Sequence, residues 1–413
     1  MFLERKEDEW SFADGMGFFL KKIVVPGYLE RLPAFVSSVH RGVNRPAALA
    51  HWADLVSQET EKWLKEQHEH QTSHGKCNEL FHSVSLLVHR VIVRCLMGED
   101  FYDYSDELFE ALHDMERDIG DPLNVLLPDW IPHPSAKRLA RARDRVCSIF
   151  DKCLAAREQE PDRWKDSLDY IQFTLDSPDT CKLKKFYAAH HTLLMFAAHT
   201  STVSLIAWTL VELLKHPQEL DATREKTSEL HKLQDWPKHT LLQACLSETG
   251  RRRSSTSMIR RARKPVTLPL DGKKEKVTFP RGSVVMISPY LTHNEEAHYE
   301  RADTWDPQRW IENPRLASQM NSGGEVRFMQ FGWASHRCPG EKVAKMMAAI
   351  TILTILDRVE LSWSPNPEVK DPSEFDKLEN LDFSKIGSAW SKKPVEIVFE
   401  PRADHTPTFV GAS

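Results

Sequence analysis

Phe331-Gly332-Trp333-Ala334-Ser335-His336-Arg337-Cys338-Pro339-Gly340 is the stretch on which the reading of this chain turns. A lone cysteine stands between a tight loop and a long apolar segment. Behind it Val343, Met346, Met347, Ile350, Leu353 and Ile355 recur at helical spacing, which predicts a buried helix face. Pro339 suits the first turn of that helix. Cys338 is therefore expected at a helix N-terminus, where free amide N–H groups and the helix dipole favour a thiolate. A lone cysteine is more often an inert core residue, so the case rests on the ten residues together.

Those ten residues resemble the haem-binding loop of the cytochrome P450 superfamily, the haem-thiolate monooxygenases. That loop reads Phe, two residues, Gly, one residue, Arg or His, one residue, Cys, one residue, Gly. Phe331, His336, Cys338 and Gly340 fit, and Ala334 stands where glycine is usual. Glycine adopts the backbone needed there more cheaply. The resemblance implies that Cys338 ligates the iron of haem b as thiolate, pushing electron density toward O–O cleavage. It also places Phe331 against the cofactor and His336 on a haem propionate.

Further stretches extend the resemblance over nearly the whole chain from about residue 10. Glu248-Thr249-Gly250-Arg251 sets an acid and a guanidinium three apart on one helix face. Alone, such a pair is common and weak. In the family a Glu-x-x-Arg forms a buried ion pair completed by a second arginine, which the resemblance places at Arg309 of Trp305-Asp306-Pro307-Gln308-Arg309-Trp310. Such a network fixes local geometry more than it adds stability. Gly250 replaces the usual leucine and is expected to cost up to about 1 kcal/mol in a helix. The run 251–264 holds seven basic residues, whose reflex reading is a nucleic-acid or nuclear-targeting patch. The resemblance instead makes Arg260 the partner of a haem propionate, a role that suits guanidinium–carboxylate geometry.

Upstream, Phe196-Ala197-Ala198-His199-Thr200-Ser201 is similar to the family's Ala/Gly, Gly, x, acid, Thr pattern. Ala197 takes the small position beside the haem that leaves room for dioxygen. Thr200 supplies the hydroxyl, and His199 replaces the acid. The His-Thr-Ser order resembles the sterol 14α-demethylase branch, as do Ser288-Pro289-Tyr290-Leu291-Thr292-His293 and His336-Arg337-Cys338. Proton delivery through Thr200 and His199 is implied. The competing reading is a helical polar pair satisfied by the preceding turn.

The 413 residues carry 55 Lys and Arg against 60 Asp and Glu, a formal net charge of −5. That balance gives no general case for nucleic-acid binding and argues against a DNA-binding role for the basic run. Seven cysteines form no CxxC pair, and the N-terminus is too charged for a secretory leader. A reducing compartment, without a disulfide framework or zinc site, is expected. No stretch of about 18 unbroken apolar residues is present. Residues 193–214 come nearest but carry His199 and Glu212, which predicts a helix buried in protein. The membrane anchor and first sheet strands with which the family begins find no match, so the sequence reads as shortened at its N-terminus.

Trp52, Leu55, Val56, Thr60 and Trp63 line one helical face. Residues 78–97, 105–118, 136–158, 183–216 and 238–249 read as further helices, the fourth of them the longest. His68-Glu69-His70-Gln71-Thr72-Ser73-His74 reads as a polar surface loop, with metal binding as the lesser alternative. Four prolines between Asp121 and Pro134 predict an ordered loop rather than a helix. A helix pair joined by so apolar a loop suits a lid or contact with a bilayer surface, against plain packing. Val266-Thr267-Leu268 and Lys276-Val277-Thr278-Phe279 flank an Asp271-Gly272 turn and read as a hairpin, with 283–287 a third strand. Residues 402–413 read as a loose tail. The expectation is a mainly α fold with a small β portion (α+β), with 1–413 a single cytochrome P450 domain.

The resemblance implies a haem-dependent monooxygenase acting with O2 on a bulky hydrophobic substrate: a sterol, terpenoid or other secondary metabolite. Electrons would come from NADPH through a separate cytochrome P450 reductase docked on Arg337, Lys342 and Lys345. It further implies the cytoplasmic side of the endoplasmic reticulum, peripheral membrane contact, and no nucleic-acid partner. The competing class is a truncated, catalytically inactive chain that binds haem or a sterol.

Overall fold

The structure is a computed structural model that describes residues 7–20, 24–127, 130–254, 256–269, 275–317, 328–333, 336–384 and 388–402. Its principal helices are α1 (Phe12–Leu20), α2 (Leu32–Gly42), α3 (Pro46–His74), α4 (Leu80–Ile92), α5 (Ser105–Ile119), α6 (Pro122–Leu126), α7 (Pro134–Gln159), α8 (Tyr187–Lys215), α9 (Pro217–Ser228), α10 (Thr240–Arg253) and α11 (Glu341–Arg358). Proline opens α3, α6, α7 and α9, where its missing N–H costs no hydrogen bond. Gly75, at φ +64°, ends α3 in the left-handed conformation.

The core is built where the periodicity placed it. Trp52, Val56 and Trp63 of α3, Ile206, Trp208 and Leu210 of α8, and Met346, Ile350 and Leu353 of α11 are fully buried in one cluster. Side chains of this size each stabilise the fold by roughly 1.5–3 kcal/mol when removed from water. The long α8 packs on α4, α10 and α11, and α11 packs in turn on α3. Leu80–Met97 and Cys181–Lys215 are long and apolar enough to cross a membrane, yet 72% of each apolar window is buried inside the molecule. The second contains the 193–214 segment, a core helix as expected.

The β portion is small. Strands β1 (Trp10–Ser11), β2 (Met258–Ala262), β3 (Val266–Pro269), β4 (Lys276–Phe279), β5 (Val284–Ile287), β6 (Val359–Trp363), β7 (Leu381–Asp382), β8 (Trp390–Ser391) and β9 (Ile397–Pro401) pair antiparallel. The expected hairpin is β3–β4, with Val266 opposite Phe279. Its Asp271-Gly272 turn lies outside the described residues, as do Ala334 and residues 403–413 of the tail. Strand β5 joins not the hairpin but β2, in the order β1-β2-β5.

Several sequence expectations are corrected. The basic run contains β2, with Arg260 and Ala262 buried and Arg261 exposed; its charge masked the alternation. The helix expected over 238–249 continues to Arg253. The helix expected over 78–97 closes with a π-helical turn, Val93–Met97. Asp121–Pro134 does contain a helix: Asp121 accepts the Leu123 N–H and caps α6. The 68–74 tract is no loop but the last two turns of α3. Helices α5 and α7 pack against each other, and Leu126 (77%) and Trp130 (80%) stand exposed between them.

Candidate active site

The cysteine loop is held by its own backbone. Cys338 N–H donates to Phe331 O at 2.7 Å, Gly332 N–H to Met329 O at 3.0 Å, and His336 N–H to Trp333 O at 3.0 Å. Gly332 has φ +80°, and a Cβ there would stand 2.6 Å from His336 O, so only glycine closes this loop without strain. Gly332 was not singled out from sequence. Helix α11 starts at Glu341 with Gly340 as its cap, two residues later than Pro339 had suggested.

Cys338 is exposed on the wall of a cavity of about 400 Å³, shared with His40, Asn44, Trp236 and Lys342. Even so, the surrounding protein pushes its thiol above the ordinary value, and the Glu341 carboxylate adds to this. The Gly340 N–H and Arg337 pull the other way and do not prevail. The expected thiolate is thus not a property of the polypeptide alone, because burial, with the Glu341 carboxylate in the first turn of α11, favours the neutral thiol. A metal cation at the sulfur would reverse the balance.

Arg260 is 2% exposed, and its side chain donates to the Ile259 carbonyl at 2.9 Å. Among the described residues it makes no carboxylate ion pair. Its guanidinium lies 5.1 Å from the Phe12 ring centroid, and that ring is 5.9 Å from the His336 imidazole. Burial lowers the pKa of both Arg260 and His336; Arg260 adds to the effect on His336, and the Glu7 carboxylate opposes both shifts. A buried cation beside a histidine, with no anion bonded to it among the described residues, suits an anion.

Helix α8 is buried along most of its length, but Ala197 is exposed, an opening on an otherwise packed helix. Thr200 is buried, and its hydroxyl points to Glu116 of α5 at 3.5 Å, the long end of the hydrogen-bond range. His113 lies 3.8 Å from the other Glu116 oxygen and is partly exposed. His199 faces elsewhere, its Nε2 3.1 Å from both Oγ and O of Ser85 on α4. The sequence reading missed Glu116, and no motif could have found it 84 residues from Thr200.

The Glu248 network is fully assembled. Its carboxylate accepts from Arg251 Nε (2.9 Å) and Nη2 (2.8 Å), Arg309 Nε (3.1 Å), Trp310 Nε1 (2.8 Å) and the Asp306 N–H (3.0 Å). Arg251 Nη1 donates to the His293 carbonyl at 2.6 Å, and His293 Nε2 accepts the Met329 N–H at 2.8 Å. The network therefore reaches the base of the cysteine loop. Gly250 has a reason as well. A Cβ there would lie 2.1 Å from Gln330 Cδ, so the Gln330 amide rests on bare helix backbone next to Phe331.

A helical core crossed by one long helix, a cysteine loop, a buried anion seat and an acid–arginine network define a haem-dependent oxygenase. The cytochrome P450 family profile matches residues 35–384. The cytochrome P450 monooxygenase pynD of Aspergillus niger is 47% identical over 95% of this chain and 79% of its own length. Cytochrome P450 monooxygenase pytD of Aspergillus terreus is 45% identical over 93% of this chain and all of its own length. Sterol 14α-demethylase cyp51A of Aspergillus fumigatus is 26% identical over 76% of this chain and 65% of its own length, so the likeness to that branch is distant. Among solved structures, retinoic acid-bound cyanobacterial CYP120A1 superposes with a TM-score of 0.74 at 16% identity, covering 97% of this chain and 86% of that one. The chain belongs to the cytochrome P450 family and is a monooxygenase.

The family's cofactor is haem with thiolate ligation, and the residues present fit it. Among the described residues Arg260 makes no carboxylate ion pair, which a propionate would supply, and a cation at Cys338 would favour its thiolate.

Proposed function

We propose that Cys338, as thiolate, would hold the iron of haem b, with Arg260 and His336 binding its propionates and Phe331 and Ala197 packing against it. The observation that carries this reading is Arg260, a buried guanidinium without a carboxylate ion pair among the described residues. It neighbours His336, two positions from Cys338. The haem supplies dioxygen binding and the oxidising power for C–H chemistry. Thr200 would hold a proton on Oγ1 beside the bound haem and be recharged from Glu116, with His113 linking that carboxylate to solvent. His199 holds this part of α8 against α4 through Ser85 and stands within reach of the same polar run. The Glu248, Arg251 and Arg309 network keeps the loop beneath the iron in place.

The substrate is a bulky hydrophobic molecule: a sterol, terpenoid or other secondary metabolite. The distant likeness to the sterol 14α-demethylases supports this. Electrons come from NADPH through a separate reductase. Arg337, Lys342 and Lys345 line the Cys338 cavity against the single carboxylate of Glu341, a net positive rim for an acidic partner. The catalytic unit is one domain, resting on a core cluster that runs from Val24 to Phe399. It sits peripherally on a membrane, at the cytoplasmic face of the endoplasmic reticulum, a reading that the exposed Leu126 and Trp130 support.

The test is reconstitution with NADPH-cytochrome P450 reductase and a panel of sterols and terpenoids. A substrate shifts the haem spectrum and yields an oxygenated product. Thr200→Ala keeps that shift but diverts electrons to hydrogen peroxide. Unchanged product per NADPH in Thr200→Ala would remove Thr200 from the proton path.

A further inference from the structure

The 68–74 tract takes no part in the site just described, yet its side chains are arranged for chemistry. His70 and His74 stand one turn apart on the last two turns of α3, with ring centroids 4.5 Å apart and planes inclined by 23°. His70 is half-exposed and His74 exposed. The Nδ1 of His70 lies 3.2 Å from the Lys76 carbonyl, and the Nδ1 of His74 lies 3.2 Å from the His70 carbonyl. A carbonyl oxygen can only accept, so each Nδ1 carries the proton. Each Nε2 is thereby left unprotonated, with its lone pair available to a ligand. Ligating imidazoles are prepared in this way: the second ring nitrogen donates to a carbonyl, which fixes the tautomer and raises the basicity of the first.

We propose that the C-terminal end of α3 is a two-histidine site for a borderline-soft divalent transition metal, Cu2+, Ni2+ or Zn2+. His70 Nε2 and His74 Nε2 are its protein ligands, and water completes the shell. No group of three His, Cys, Asp or Glu side chains suited to a metal occurs among the described residues. The site is therefore open, and it selects for imidazole-binding metals over Mg2+ and Ca2+, which want an oxygen cage. The helix end adds to it, since the carbonyl end of the α3 dipole favours a cation. The bond from His70 to Lys76 crosses Gly75, so a bound metal also clamps the turn between α3 and α4.

The test is calorimetric titration of the haem-loaded full chain with Ni2+, and electron paramagnetic resonance of the Cu2+ form. The expected result is one site per chain with two nitrogen ligands from imidazole. His70→Ala and His74→Ala each weaken it by about tenfold or more, and His68→Ala leaves it intact. Both substituted positions are at the surface, and the carbon monoxide spectrum of each variant reports intact folding. Equal binding by wild type, His70→Ala and His74→Ala would overturn the proposal, as would loss of the site in His68→Ala.

Discussion

Glu248→Gln is the most revealing single change in this fold. The wild-type carboxylate is completely buried and gathers five N–H donors from Arg251, Arg309, Trp310 and Asp306. Glutamine keeps the shape but has one accepting oxygen. Its NH2 group meets N–H donors, and Arg251, itself without solvent exposure, loses its counter-charge. Each hydrogen bond to a charged group contributes about 1.5–3 kcal/mol. These bonds are not additive, and removing one partner of a buried pair costs roughly 3–5 kcal/mol in total. Against a whole-protein stability of about 5–15 kcal/mol, that is roughly a fifth or more. Urea unfolding of the haem-loaded protein, followed by tryptophan fluorescence, measures it. Arg309→Ala leaves Glu248 with Arg251, Trp310 and the Asp306 amide and should cost clearly less. A Glu248→Gln loss below about 1 kcal/mol, or one smaller than that of Arg309→Ala, would refute the view that this network holds the cysteine loop.

Four buried histidines make the protein acid-labile. Burial pushes His89 and His293 down to about 3 and His191 to about 4, and holds His190 well below the usual range. The unfolded chain takes up protons first, so stability is complete above about pH 6.5 and falls below it, by roughly 1.4 kcal/mol per histidine at pH 5.5. A melting temperature flat between pH 7.5 and 5.5 would contradict this. Gly250→Ala combined with Gln330→Ala, which clears the space a Cβ needs, should raise stability by up to about 1 kcal/mol through helix propensity, measured by thermal unfolding. Leu126→Ser with Trp130→Ser should reduce co-flotation with phospholipid vesicles while leaving the haem spectrum unchanged; equal flotation would exclude α6 and its loop from membrane contact.

Where burial follows periodicity, the sequence was enough. The α3 face from Trp52 to Trp63 and the α11 face from Val343 to Ile355 are buried as spaced. The Glu-x-x-Arg network assembled on the residues named for it, although the Trp310 indole as a fifth donor carried no signal in the spacing. Strand β2 was hidden because its own Arg261 and the following Arg263 and Lys264 are solvent-facing, and charge outweighs alternation over five residues. The sequence showed the helix-end amide at Cys338 but not the burial, nor the first-turn Glu341 charge, that together hold its thiol above the ordinary value in the polypeptide alone. Glu116 reaches Thr200 by tertiary packing of α5 on α8, which one sequence does not encode in any window.

The central claim is that Cys338 ligates haem iron through sulfur. The carbon monoxide difference spectrum of the reduced full chain tests it, beside that of Cys338→Ser. The account predicts the strongly red-shifted Soret band for which the family is named in the wild type, and its loss in Cys338→Ser. A band at the shorter wavelength of haem without thiolate in the wild type would contradict the account, as would a red-shifted band that survives in Cys338→Ser.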